Sequence, residues 1–190
     1  RVTEKEFGNF VKKYVPLLKS ASAVVFSGSL PPGVPSSAYA TLIRTAQKEG
    51  LATFLDTSGA PFRLALRAKP FLVKPNLEEA EQLLGKKLRS RPAIKRALKD
   101  LLRQGAKIVI ISMGSRGAAA SDGRKAILAI PPELRVQNTV GSGDALLAGF
   151  VRDHLRRKSF KDCVKAAVAA GSANALGIFP GKISLRTAEK

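Results

Sequence analysis

Asn138-Thr139-Val140-Gly141-Ser142-Gly143-Asp144, running on into Ala145-Leu146-Leu147-Ala148-Gly149-Phe150, is a glycine-bracketed turn that opens into a helix. Leu147, Phe150, Val151 and Leu155 supply the apolar spacing of that helix. Small residues at 141–143 let the backbone approach a ligand closely. The first N–H groups of a helix have no intrahelical acceptor, and the helix dipole adds positive charge at the same end. Together they make an anion hole suited to a phosphoryl group. Asp144 falls in the same turn, where a carboxylate stays ionised and can take a proton from an attacking hydroxyl. Phosphoryl transfer needs positioning, charge stabilisation and a group that orients the nucleophile, and this turn offers the last two. Read alone, the segment also fits an ordinary Gly-rich turn with Asp144 as a helix cap.

Upstream, apolar strands alternate with helices. Strands are predicted at 23–27, 51–55, 71–73 and 107–111. Helices are predicted at 36–49, 61–67, 77–84 and 92–104, the last with Pro92 in its first turn and Gly105 beyond its end. Residues 117–121 and 125–130, joined by Asp122-Gly123-Arg124, read as a β-hairpin. Two helices, 144–157 and 160–176, close the chain, and the alanines of the second permit close packing. Such alternation implies a mostly parallel sheet covered on both faces, in a single α/β domain over residues 1–190. Ligands bind at the carboxyl ends of the strands in such folds. Four loops lie there: 28–33, 56–59, 74–79 and 112–117.

With 190 residues, 45% of them hydrophobic, the chain is long enough for one sizeable core. No apolar run spans a membrane and no signal-peptide layout opens the sequence. One cysteine, Cys163, excludes an intrachain disulfide, and a reducing cytoplasm is the expected compartment. One cysteine and one histidine also exclude a zinc-type centre, and His154, among arginines, reads as a surface residue.

The formal net charge of +19 suits polyanionic partners such as nucleotides and sugar phosphates. Two basic regions, 86–107 and 152–165, read as solvated outer helix faces. Aromatic residues make up 6% and are not interleaved with these cations, so nucleic acid is not an expected partner. A basic nucleic-acid-binding module is kept as the alternative from another class, to be separated by salt-dependent binding.

Four segments, in order, resemble the PfkB (ribokinase-like) carbohydrate kinase family. They are Ser27-Gly28-Ser29-Leu30-Pro31-Pro32-Gly33, Lys74-Pro75-Asn76-Leu77-Glu78-Glu79, Ser112-Met113-Gly114-Ser115-Arg116-Gly117-Ala118 and Gly141-Ser142-Gly143-Asp144. With Asp56-Thr57-Ser58-Gly59 they are most similar to the phosphofructokinase and tagatose-6-phosphate kinase branch. The resemblance implies a ribokinase-like three-layer α/β/α sandwich with a mostly parallel central sheet. It implies ATP and magnesium as cofactors and a ketose phosphate as acceptor, with a kinase for an unphosphorylated sugar or nucleoside as the alternative.

Carried over by position, Asp144 is the implied general base, and Gly141, Ser142 and Gly143 form the anion hole. Lys74, Ser112, Gly114, Gly117 and Asn174 would border the nucleotide, and Ser29 the sugar. Asn76 and Glu79 would place magnesium, with a plain helix-capping role as the alternative. Asp56 would support the site or cap a turn.

Two departures stand out. Family members begin with a further N-terminal region that carries an acidic sugar-binding residue, a Gly-Gly segment and a β-lid that often mediates dimerisation. This chain starts after it, which implies an N-terminally truncated fold with an incomplete sugar pocket and little or no activity alone, or an inactive remnant. A homodimer is then an expectation for the intact parent. Ala145 also stands where many members place a hydroxyl residue.

Overall fold

The computed structural model describes residues 1–183, which fall into two compact units, Arg1–Ile110 and a second beginning at Ile111. In the first, helix α1 (Glu4–Leu18) precedes β1 (Ala23–Ser27), α2 (Ala38–Lys48), β2 (Ala52–Asp56), α3 (Gly59–Leu66), β3 (Leu72–Val73), α4 (Leu77–Leu84), α5 (Arg91–Arg103) and the start of β4 (Ile108–Ser112). Every strand predicted in this stretch is present within a residue or two of its expected bounds.

The strand order follows the chain, and β1, β2, β3 and β4 pair in parallel. Helices intervene because parallel neighbours need a crossover connection. Phe54, Leu55, Leu72, Val73, Val109 and Ile110 are fully buried, as expected for parallel strands covered on both faces. The register sets Ser27 beside Asp56 and Leu55 beside Val73, and Lys74 continues past β3 with its N–H on the Leu55 carbonyl at 3.0 Å. The loops after β1, β2 and β3 therefore emerge side by side.

Helix α1 was not anticipated, although Thr3-Glu4-Lys5-Glu6 carries its start signal. The Thr3 hydroxyl accepts from the Glu6 N–H at 3.3 Å and the Glu6 carboxylate accepts from the Thr3 N–H at 2.8 Å. That reciprocal cap satisfies two donors that the first turn would leave unpaired. Phe7, Phe10 and Tyr14 stack along one face, and the Tyr14 hydroxyl donates to the Leu42 carbonyl at 3.1 Å, tying α1 to α2.

In the second unit, a short 3₁₀ turn (Gly114–Arg116) leads to the antiparallel hairpin β5 (Ala118–Ser121) and β6 (Ala126–Ala129). Helices α6 (Ser142–Leu155) and α7 (Phe160–Ala175) pack against each other. Gly149 explains how closely. A Cβ there would lie 2.6 Å from the Ala166 carbonyl oxygen and 2.8 Å from the Ala170 Cβ. The small side chains of α7 thus permit the close packing expected of them.

The predicted basic faces are exposed. On α5, Arg91, Lys95, Arg96, Lys99 and Arg103 face solvent opposite buried Ile94, Ala97, Leu98 and Leu101. Asp100 pairs with Lys86 at 3.7 Å and Arg103 at 3.3 Å. Cys163 is buried, and burial pushes its thiol pKa up. His154 is half-buried rather than a free surface residue: its ring stacks on Phe150, and burial lowers its pKa.

Candidate functional site

Each unit presents a group of the residues singled out from sequence. In the first unit they gather at the carboxyl ends of β1, β2 and β3. The loop after β1 is anchored by the Gly28 N–H on the Asp56 carbonyl at 2.9 Å and by the Tyr39 hydroxyl on the Gly28 carbonyl at 3.0 Å. Ser29 stands exposed in that loop. Lys74 is buried, and its ammonium lies 2.9 Å from the Asp56 carboxylate.

Asn76 and Glu79 open α4 with a reciprocal cap. The Asn76 Oδ1 accepts from the Glu79 N–H and the Glu79 Oε2 accepts from the Asn76 N–H, both at 2.8 Å. Glu79 lines a shallow cleft together with Thr57, Ser58, Phe62, Arg63 and Pro75, and Asn76 is exposed. Arg63 was not singled out from sequence, since one arginine in a short helix carries no pattern.

The donor set fits magnesium. Among the described residues no cluster of three or more His, Cys, Asp or Glu side chains could enclose a metal ion. Asn76, which is exposed, and Glu79, which lines the cleft, each offer hard side-chain oxygen. Magnesium keeps several waters and takes one or two protein oxygens together with substrate phosphates, so a sparse oxygen set of this kind suits it.

In the second unit, the 3₁₀ turn after β4 is closed by the Met113 N–H on the Gly117 carbonyl at 2.8 Å. Ser112 is half-buried and Gly114 exposed on this turn. Gly117 has φ +81, and a Cβ there would collide with the Ala129 carbonyl, so only glycine fits.

The turn before α6 has the form read from its sequence. Gly141 is the N-cap residue in the left-handed region, φ 75, with no side-chain cap on the helix. The Ser142 N–H bonds the Thr139 carbonyl at 3.1 Å, and the Ala145 N–H makes the first bond to Gly141, at 2.8 Å. Gly143 therefore sits in the first turn, where an N–H has no carbonyl of its own helix to reach. Asp144, third in the helix, is exposed, and it is the only acid of that first turn.

Segment 137–142 is held from α7. The N–H groups of Gln137 and Asn138 bond the Ala175 carbonyl at 2.8 and 3.3 Å. The Asn138 side chain donates to the Ile178 carbonyl at 2.9 Å and accepts from the Val140 N–H at 2.9 Å. Asn174 is 1% exposed and bonds the Val140 carbonyl, the Ser142 hydroxyl and the Gly181 N–H. The sequence gives no sign that Asn138 and Asn174 share this task, because the contact joins residues far apart in the chain.

The pfkB family carbohydrate kinase model matches residues 3–177. The chain is 44% identical over 128 residues to the 1-phosphofructokinase of Rhodobacter capsulatus, covering 67% of this chain and 40% of that protein. It is 36% identical over 176 residues to the 1-phosphofructokinase of Borreliella burgdorferi, covering 92% of this chain and 57% of that one. Phosphofructokinase-2 from Escherichia coli, solved in complex with potassium, superposes with a TM-score of 0.91 at 32% identity, over 99% of this chain and 61% of that chain. The α/β architecture is therefore ribokinase-like, and the chain spans about three fifths or less of the length of these relatives. On the strength of its motifs, its fold and this match along nearly all of its length, the chain belongs to the PfkB carbohydrate kinase family, in the phosphofructokinase branch.

Proposed function

We propose that this chain carries the nucleotide-handling and proton-accepting part of an ATP-dependent kinase acting on a ketose phosphate of the fructose 1-phosphate, fructose 6-phosphate or tagatose 6-phosphate type. The observation that carries this reading is Asp144, exposed in the first turn of α6 directly after the uncapped Gly141-Ser142-Gly143 turn. Relatives described as 1-phosphofructokinases support a phosphosugar as acceptor. The charge of +19 favours the approach of two anionic substrates.

In this reading Asp144 accepts the proton of the acceptor hydroxyl as its oxygen attacks the terminal phosphorus of ATP. The bond from that phosphorus to the bridging oxygen breaks, and ADP leaves. The backbone N–H groups of Gly143 and Asp144 hold the charge that develops on the transferred group, without rearranging during the step, while the Ser142 N–H is taken by the Thr139 carbonyl. Ser112, Gly114 and Gly117 border the nucleotide, and Ser29 faces the sugar. Asn76 and Glu79 would hold magnesium, largely through water, and the ion would supply positive charge to the phosphates. Lys74, buried on Asp56, ties the loops after β2 and β3, and in this reading its positive charge favours a nucleotide phosphate beside it.

The test is phosphotransfer from ATP to each of the three sugar phosphates by the intact protein, with Asp144→Asn as the control. Activity that falls about 100-fold or more in the variant, at unchanged melting temperature, supports Asp144 as base. Undiminished turnover in Asp144→Asn rules it out.

A further inference from the structure

The orientation of the Asn174 amide is fixed by its backbone partners. The Gly181 N–H can only donate, so the oxygen at 2.8 Å from it is Oδ1. The Val140 carbonyl can only accept, so the atom at 2.8 Å from it is Nδ2. An amide nitrogen carries two hydrogens and no acceptor capacity. Its second hydrogen goes to the Ser142 hydroxyl oxygen at 3.0 Å. Ser142 is thus an acceptor towards Asn174, and its own hydroxyl hydrogen turns elsewhere. Among the described residues no protein group accepts that hydrogen.

Ser142 is the first residue of α6, in the turn that the kinase reading assigns to the terminal phosphate of ATP. We propose that Asn174 sets the polarity of the Ser142 hydroxyl so that it donates to that phosphate, adding a side-chain donor to the backbone N–H groups. Asn174 is then a positioning residue. At 1% exposure, with both nitrogen hydrogens and its oxygen committed inside the protein, it acts through Ser142 rather than by touching the nucleotide. Alanine at 142 would keep the turn and lose this donor. The geometry also explains why the segment 178–181 matters to the turn: Gly181 holds Asn174 Oδ1, and Ile178 holds Asn138.

This inference rests on the kinase reading, and a double-mutant cycle separates the two. Calorimetric titration of the intact protein with ATP and with adenosine, in magnesium buffer, is carried out for wild type, Ser142→Ala, Asn174→Ala and the double variant, with melting temperatures alongside. Ser142→Ala is expected to weaken ATP binding about 10-fold, the usual effect of one hydrogen bond to a charged group, with adenosine binding unchanged. Asn174→Ala is expected to weaken ATP binding several-fold in wild type and less than twofold in the Ser142→Ala background, because coupled residues are non-additive. A purely structural Asn174 would cost the same factor in both backgrounds, and that result overturns the proposal. So does a Ser142→Ala protein that binds ATP like wild type, which remains decisive even where Asn174→Ala fails to fold. Wild type that binds no ATP overturns the kinase reading as well as this one; silent variants of an ATP-binding wild type overturn this one alone.

Discussion

Lys74 Nζ lies 2.9 Å from Asp56 Oδ2, with the lysine side chain 5% and the aspartate 17% exposed. The pair joins the carboxyl ends of β2 and β3, next to the loop that Gly28 ties to the Asp56 carbonyl. Removing one member leaves a buried charge without its counter-charge, which costs far more than the pair itself contributes. Asp56→Asn is expected to destabilise the protein by about 3 kcal/mol, read by urea denaturation. Asp56→Leu combined with Lys74→Met is expected to recover most of that loss, since apolar replacements of a buried pair are often neutral. A single substitution at Asp56 that leaves the denaturation midpoint unchanged contradicts the structural role given to this contact.

Asn76 and Glu79 have two readings that a pair of substitutions separates. Glu79→Gln keeps an oxygen to accept from the Asn76 N–H, so the cap survives and stability is expected to change by less than about 0.5 kcal/mol. It removes the negative charge that a magnesium ion would feel. The magnesium concentration needed for half-maximal ATP binding is then expected to rise. Asn76→Ala removes the cap on the Glu79 N–H and is expected to cost about 1 kcal/mol. If Glu79→Gln leaves the magnesium requirement where it was, capping is the whole role of this pair.

How much of this was legible beforehand differs between elements for physical reasons. The strands Ala52–Asp56 and Ile108–Ser112 announce themselves as short apolar runs bounded by turn residues, and α4 matches its expected bounds because Asn76 and Gly85 mark both ends. Helix α1 is not among the expected elements, although Phe7, Phe10, Val11, Tyr14 and Leu18 recur at helical spacing; of its residues Leu18 alone is buried. Its start signal at Thr3 and Glu6 was nonetheless present. At the site, Gly141 and Asp144 could be read because their chemistry is local to one turn. The grip of Asn174 on Val140 and Ser142 could not, since it bridges 34 and 32 residues of sequence.

The contact between α6 and α7 sets a size limit at Gly149. A Cβ would sit 2.6 Å from the Ala166 carbonyl oxygen, which is backbone and cannot swing aside. Gly149→Ala is expected to destabilise by about 1–3 kcal/mol through overpacking, despite the better helix propensity of alanine. Gly149→Val should cost more. Thermal unfolding of both variants checks the order. An alanine variant as stable as wild type means that the two helices separate at little cost.

Alkaline pH tests how α1 is held. The Tyr14 hydroxyl, half-buried and bonded to the Leu42 carbonyl, has its pKa pushed up to about 12 by burial. Free tyrosine titrates near 10 in an unfolded chain. Between these values the unfolded form gives up the proton while the folded form keeps it, so ionisation draws the equilibrium towards unfolding. The contribution of Tyr14 is therefore complete below about pH 10 and fades as pH rises towards 12. Tyr39, also raised by burial, acts in the same direction. Tyr14→Phe is expected to lose about 1 kcal/mol at neutral pH, for the missing bond to Leu42. It should also show a shallower fall in stability above pH 10, because one of the two tyrosines that drive the fall is gone. Denaturation midpoints measured from pH 7 to 11 decide the matter: identical slopes for wild type and variant would mean that Tyr14 ionises freely and that α1 is not anchored through it.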